Sequence, residues 1–181
     1  WQARYLQVDM VFSAALVLAL LAFFRFIENA RTGWYYAFFI ILACAFMTKG
    51  PLAAVLAVPV VVFSCLSEKR MPAILTRHTI FGILVFLAII VPWYCAVYLK
   101  EGYPYLYENI LRQNFLRFFE AWSHKRPFYY YFTTLPLDFF PWSLFLPLGL
   151  YTAFKTWKAD KRTRFFLIWF LWFFFFLSFS S

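Results

Sequence analysis

Charge is scarce in this chain: only 14% of its 181 residues are Asp, Glu, Lys or Arg, whereas a soluble domain carries about 25%. So few charges cannot make a water-facing shell. The remainder is 65% hydrophobic, and 27 Phe, 12 Tyr and 8 Trp would have nowhere to hide in a soluble fold of this size. Lipid is the solvent, and the expected class is an all-α integral membrane protein. Cysteine is sparse too. Cys44, Cys65 and Cys95 sit inside apolar runs without zinc spacing or a disulfide role, and read as small buried hydrophobes. No internal repeat stands out. The opening residues lack Met and any signal-peptide layout, and the last apolar run stops as a helix would finish crossing. The chain is expected to be an internal segment of a longer protein.

A net charge of +9 raises nucleic acid as a partner. The basic residues fall in short clusters between apolar runs and form no continuous groove, so nucleic acid is excluded. The pattern fits topology signals and anionic lipid or phosphate partners instead.

A membrane-crossing helix needs about 20 mostly apolar residues. About six such spans are expected, over residues 8–27, 34–48, 51–67, 79–98, 137–154 and 165–181. The second and third are separated only by Thr48-Lys49-Gly50-Pro51, where a charge, a residue free of φ limits and a helix breaker coincide. A tight re-entrant turn is expected there. Lys and Arg in short loops mark the cytoplasmic side. Arg25 and Arg31, then Lys69, Arg70 and Arg77, then Lys155, Lys158, Lys161, Arg162 and Arg164 fall on alternate connections. That assigns the N-terminal end, the Lys49 turn and the long loop of about 99–136 to the outer, non-cytoplasmic side.

Within this loop, Tyr107, Ile110, Leu111, Phe115 and Phe118 recur at helical spacing, and Glu108 stands four residues before Arg112. An amphipathic helix on the outer membrane surface is expected. Ionisable residues at a membrane suggest function by default, and Asp9, Lys49, Arg117, His124, Lys125 and Arg126 all fall on this outer face. Together they can hold an anionic substrate. Each has a plainer reading: Asp9 complements a helix dipole, Lys49 snorkels, His124 is solvated, and the loop cations meet lipid headgroups. The aromatic excess has two readings as well, interfacial belts and lipid-facing surface, or a pocket for sugar and polyprenyl chains.

Three strings carry a family resemblance: Val8-Asp9-Met10 leading into an apolar helix; Met47-Thr48-Lys49-Gly50-Pro51; and Asn114 to Phe118 followed by His124-Lys125-Arg126-Pro127, Leu135-Pro136 and Phe140-Pro141-Trp142. With these the chain resembles integral-membrane glycosyltransferases that use polyprenyl-phosphate sugars, the GT-C group containing the lipid A aminoarabinose transferase and protein O-mannosyltransferases. The resemblance implies transfer of a sugar from a polyprenyl phosphate to lipid A, a protein or another glycan at the outer face. It implies that Asp9 and Lys49 line the donor site and that Arg117, Lys125 and Arg126 hold the lipid phosphate. His124 would orient the phosphate or help coordinate a divalent metal, the one cofactor in question. The acidic base of the family belongs to an upstream loop, so no catalytic residue is assigned within 1–181, and the segment alone is expected to be inactive. Competing readings are a transporter or flippase, which favours broken helices near the bilayer midplane, and a non-catalytic membrane scaffold.

Overall fold

The computed structural model describes residues 8–68, 76–107 and 130–179. Among them are seven α-helices: α1 (Val8–Asn29), α2 (Thr32–Lys49), α3 (Leu52–Ser67), α4 (Arg77–Leu106), α5 (Tyr130–Asp138), α6 (Leu146–Thr156) and α7 (Lys161–Phe179). A 3-10 turn, Trp142–Phe145, precedes α6. Four helices, α1, α2, α4 and α7, are long and apolar enough to cross a membrane, and α3 is a shorter apolar helix. The chain is a multi-pass, all-α membrane protein. Helix is the form such sequences must take, because hydrocarbon offers no partner to an unpaired backbone N–H or C=O.

The core lies where α1, α2, α3 and α7 meet. Ala19, Ala22, Ala45, Ala53 and Ala57 are buried there, with Phe23 and Tyr35 in the same cluster. In lipid the driving force for such packing is close contact between helices rather than escape from water, and small residues permit the approach. Tyr35 stacks on Phe26 with ring centroids 4.5 Å apart. Its hydroxyl hydrogen-bonds Thr79 Oγ1 at 2.9 Å, and the neighbouring Tyr36 hydroxyl meets His78 Nδ1 at 2.8 Å, so both fix the first turn of α4 against the start of α2. One turn along, α2 and α4 approach so closely at Gly82 that any Cβ there would overlap the Phe39 ring.

Several elements differ from the sequence expectation. Residues 137–154 do not form one helix: α5 ends at Asp138, the Phe140–Pro141 bond is cis, and α6 starts only at Leu146. At 11 residues, α6 is about 16 Å long and too short to span the hydrocarbon alone. Helix α4 continues beyond residue 98 to Leu106, interrupted by Gly102 at φ 77°, so the region expected as loop from 99 begins as helix. It ends as helix too, since α5 occupies Tyr130–Asp138. The expected amphipathic helix over Tyr105–Glu120, with Glu108 and Arg112, falls outside the described residues apart from 105–107, where α4 ends. Pro59 and Pro92 lie inside α3 and α4 without ending them. None of the three cysteines forms a disulfide among the described residues; Cys65 is buried, but Cys44 and Cys95 are exposed.

Candidate functional site

Helix α2 ends on Lys49, and the chain reverses at once. Gly50 takes φ 64°, a conformation that favours a residue without Cβ, and its N–H donates to the Phe46 carbonyl at 2.6 Å. Pro51 then occupies the N-cap position of α3 with φ −55°. Thr48 turns its hydroxyl back onto the Ala45 carbonyl at 2.6 Å. Only the Lys49 side chain is left to reach outward from this turn. It extends to the first turn of α1, where its ammonium lies 2.5 Å from Asp9 Oδ1 and 5.6 Å from the Phe12 ring centroid. Phe12 is itself buried against the bundle, so the cation rests between a carboxylate and an aromatic face.

Asp9 and Lys49 therefore share one end of the bundle and touch. Their side chains are 65% and 37% exposed, and a pair that open contributes little to stability, about 0–1 kcal/mol. The pair holds an ammonium at the edge of an apolar bundle without enclosing it. Arg117, His124, Lys125 and Arg126 lie outside the described residues. No group of three or more His, Cys, Asp or Glu able to hold a metal occurs among the described residues.

Two features of the site region escaped the sequence reading. The first is an aromatic cavity of about 670 Å³ between α5, the 3-10 turn and α7, walled by Tyr131, Phe139, Trp142, Trp169 and Phe173, with Asp138, Thr134 and Ser143 also among its lining residues. Its walls come from segments separated by about thirty residues, and no local pattern announces them. The second is a pair of ion clusters at the opposite end of the bundle. Arg162 Nε donates to Glu28 at 2.7 Å, and Arg164 to Glu68 at 3.1 Å with Lys161 4.0 Å away. These bonds tie the first turn of α7 to the ends of α1 and α3. A usable signal was present: Glu28 and Glu68 each close an apolar run, but a rule that counts only Lys and Arg passes over them.

Beneath them, Asp160 caps α7. Its carboxylate accepts from the backbone N–H groups of Arg162 and Thr163, both at 3.1 Å, and from the Thr163 hydroxyl at 2.5 Å. The Thr163 hydroxyl first, then the two N–H groups, hold the Asp160 carboxyl below its ordinary value.

The family described as dolichyl-phosphate-mannose-protein mannosyltransferase matches residues 1–95. Similar curated proteins include undecaprenyl phosphate-α-4-amino-4-deoxy-L-arabinose arabinosyl transferases from two strains of Pseudomonas fluorescens. These are 28% identical over 187 residues, covering 99% of this chain and 32% of the relative, and 32% identical over 185 residues, covering 99% and 33%. The transferase of the same description from Pectobacterium atrosepticum is 34% identical over 140 residues, 76% of this chain and 25% of that protein. The chain thus spans a third or less of the length of these relatives. No solved structure matches it significantly.

Proposed function

The chain belongs to the dolichyl-phosphate-mannose-protein mannosyltransferase family, and on that premise we propose that the whole protein transfers a sugar from a polyprenyl-phosphate carrier to an acceptor at the outer face of the membrane. The arabinosyl transferases matched along nearly the whole chain favour an undecaprenyl-phosphate donor; the acceptor proposed is lipid A, a protein or another glycan. The observation that carries the reading is the Asp9–Lys49 pair, which presents a cation at one end of an apolar bundle.

In this reaction the bond between the anomeric carbon and the phosphate oxygen breaks, and the acceptor oxygen forms the new bond. The polyprenyl phosphate departs with the electron pair. A preorganised ammonium lowers the cost of that developing charge, which is the role proposed for Lys49. Asp9 orients Lys49 until the donor phosphate arrives. Arg117, Lys125 and Arg126 are proposed to hold the phosphate, with His124 orienting it or joining a metal site completed elsewhere. The acceptor proton goes to an acidic base outside residues 1–181. The aromatic cavity along α7 offers the carrier's isoprenoid tail an apolar bed. The distribution of Lys and Arg supports an outward-facing Asp9 end of the bundle and a cytoplasmic Glu28 end, and the family supports the inner membrane as the one crossed.

The test is release of radiolabelled sugar from a polyprenyl-phosphate donor by membranes containing the whole protein. Wild type should release sugar and Lys49→Ala should not, at equal expression. Normal turnover by Lys49→Ala would remove Lys49 from the mechanism. Release by neither, with the protein folded and several carriers tried, would favour transport or scaffolding.

A further inference from the structure

Phe12 follows Asp9 by three residues on α1, so the two side chains share a face of that helix. The Lys49 ammonium sits against both, 2.5 Å from the Asp9 carboxylate and 5.6 Å from the centroid of the Phe12 ring. The two holders differ in how firmly they are themselves held. Asp9 is 65% exposed, and a carboxylate that open to water can leave its partner at little cost. Phe12 is only 6% exposed and belongs to the buried cluster of the bundle. Met10 and Val11, just before it, are 74% and 51% exposed. The ring is therefore the fixed reference beside the ammonium, and the carboxylate is the replaceable one.

The two contacts also differ in kind. An ammonium has three N–H donors. A carboxylate engages them directly and carries charge of the same sign as a phosphate, so it competes with a phosphate for the cation. An aromatic face attracts the charge through its quadrupole, with no net charge of its own, and leaves the donors free. The ring also keeps water from one side of the ammonium, and a less hydrated cation acts more strongly on a nearby anion.

We infer that Phe12 is a positioning residue for Lys49: its ring face fixes and partly dehydrates the ammonium, so the cation stays aimed while its ion pair passes from Asp9 to the donor phosphate. The inference rests on the sugar-transfer reading and extends it to a buried side chain without charge or hydrogen-bonding group. Packing alone is the competing role for this ring. The two roles separate on ring electrons, because packing depends on the shape of the ring and the cation contact on its quadrupole.

The whole protein is produced with Phe12 replaced by 4-fluoro-, 3,5-difluoro- or 3,4,5-trifluorophenylalanine. Each added fluorine draws electron density from the ring face with little change of shape. Radiolabelled sugar release from a polyprenyl-phosphate donor gives kcat and KM, and thermal unfolding in detergent reports stability. The kcat should fall in step with fluorine number, about fivefold at three fluorines, while KM and melting temperature stay near wild type. The same series at Phe23, fully buried in the same cluster and about 16 Å further along α1, should leave kcat unchanged. A flat series at Phe12, with active wild type, overturns the inference and leaves the sugar-transfer reading standing. A fall that tracks melting temperature, a rise in KM alone, or an equal fall at Phe23 overturns it in the same way. No release by wild type, with the protein folded, overturns the reading itself and the inference with it.

Discussion

Lys49, the last residue of α2, places its ammonium 2.5 Å from the carboxylate of Asp9, in the first turn of α1, across forty residues of sequence. Both groups are accessible, so the contact orients a cation more than it stabilises a fold. Its geometry depends on Gly50 and Pro51, which turn the chain the moment the lysine has been placed.

Removing either partner should therefore affect turnover more than folding. Lys49→Ala is expected to lower sugar release about 100- to 1,000-fold, the scale for losing one donor to a developing anion. Asp9→Asn leaves the cation in place but unoriented and should cost less. Radiolabel release from membranes measures both, and thermal unfolding in detergent should leave both near wild type. An Asp9→Asn variant as inactive as Lys49→Ala would mean that the carboxylate takes part directly.

At Gly82 the expectation reverses. A methyl group there collides with the Phe39 ring where α2 and α4 meet, and overpacking of this kind costs about 1–3 kcal/mol. Gly82→Ala should unfold at lower temperature. Gly33→Ala is the control: its Cβ would meet nothing within 4 Å, so its stability should stay within about 0.5 kcal/mol of wild type.

The ion clusters at the other end should separate by burial. Glu68 and Arg164 are only 10% and 15% exposed, so Glu68→Ala strands a nearly buried guanidinium at a cost of about 3 kcal/mol. Arg162 is 71% exposed against Glu28, and Glu28→Gln should cost less than about 1 kcal/mol. Thermal melts of the two variants, with a Glu68→Ala/Arg164→Ala double variant, measure the difference. Equal effects would contradict the burial argument.

The cap on α7 adds a pH dependence with a definite sign. Hydrogen bonds from Thr163 and from the Arg162 and Thr163 N–H groups lower the folded pKa of Asp160 beneath its usual 3.8. Their contribution is fully present above the unfolded value and is lost as pH falls through the lowered one. Wild type should lose melting temperature on acidification below about pH 4, and Asp160→Ala should start lower at neutral pH and lose less. Parallel pH profiles for the two proteins would exclude the cap as the cause.

What the sequence disclosed follows from which forces are local. Apolar length and composition mark helices such as α1 and α4, and Lys49-Gly50-Pro51 marks its own turn. The stretch 137–154 misleads because hydropathy counts side chains, whereas Pro141 and Pro147 act on the backbone by withholding N–H groups. Lys49 and Asp9 could be assigned to one face by counting crossings. Their contact, like that of Glu28 with Arg162, is a matter of helix packing and has no signature in spacing. Gly82 and Gly149 look alike as letters, yet one sits under a ring and the other beside open space.

The lengths of α2 and α3 carry a last consequence. With 18 and 16 residues they reach about 27 and 24 Å, less than a hydrocarbon layer of about 30 Å. Crossing a bilayer with a hairpin this short would require the lipids around it to thin or the Lys49 ammonium to snorkel to reach water. Acyl chain length thus becomes a control on how strongly that cation is hydrated, and the same protein carries a differently tuned charge in thick and thin membranes.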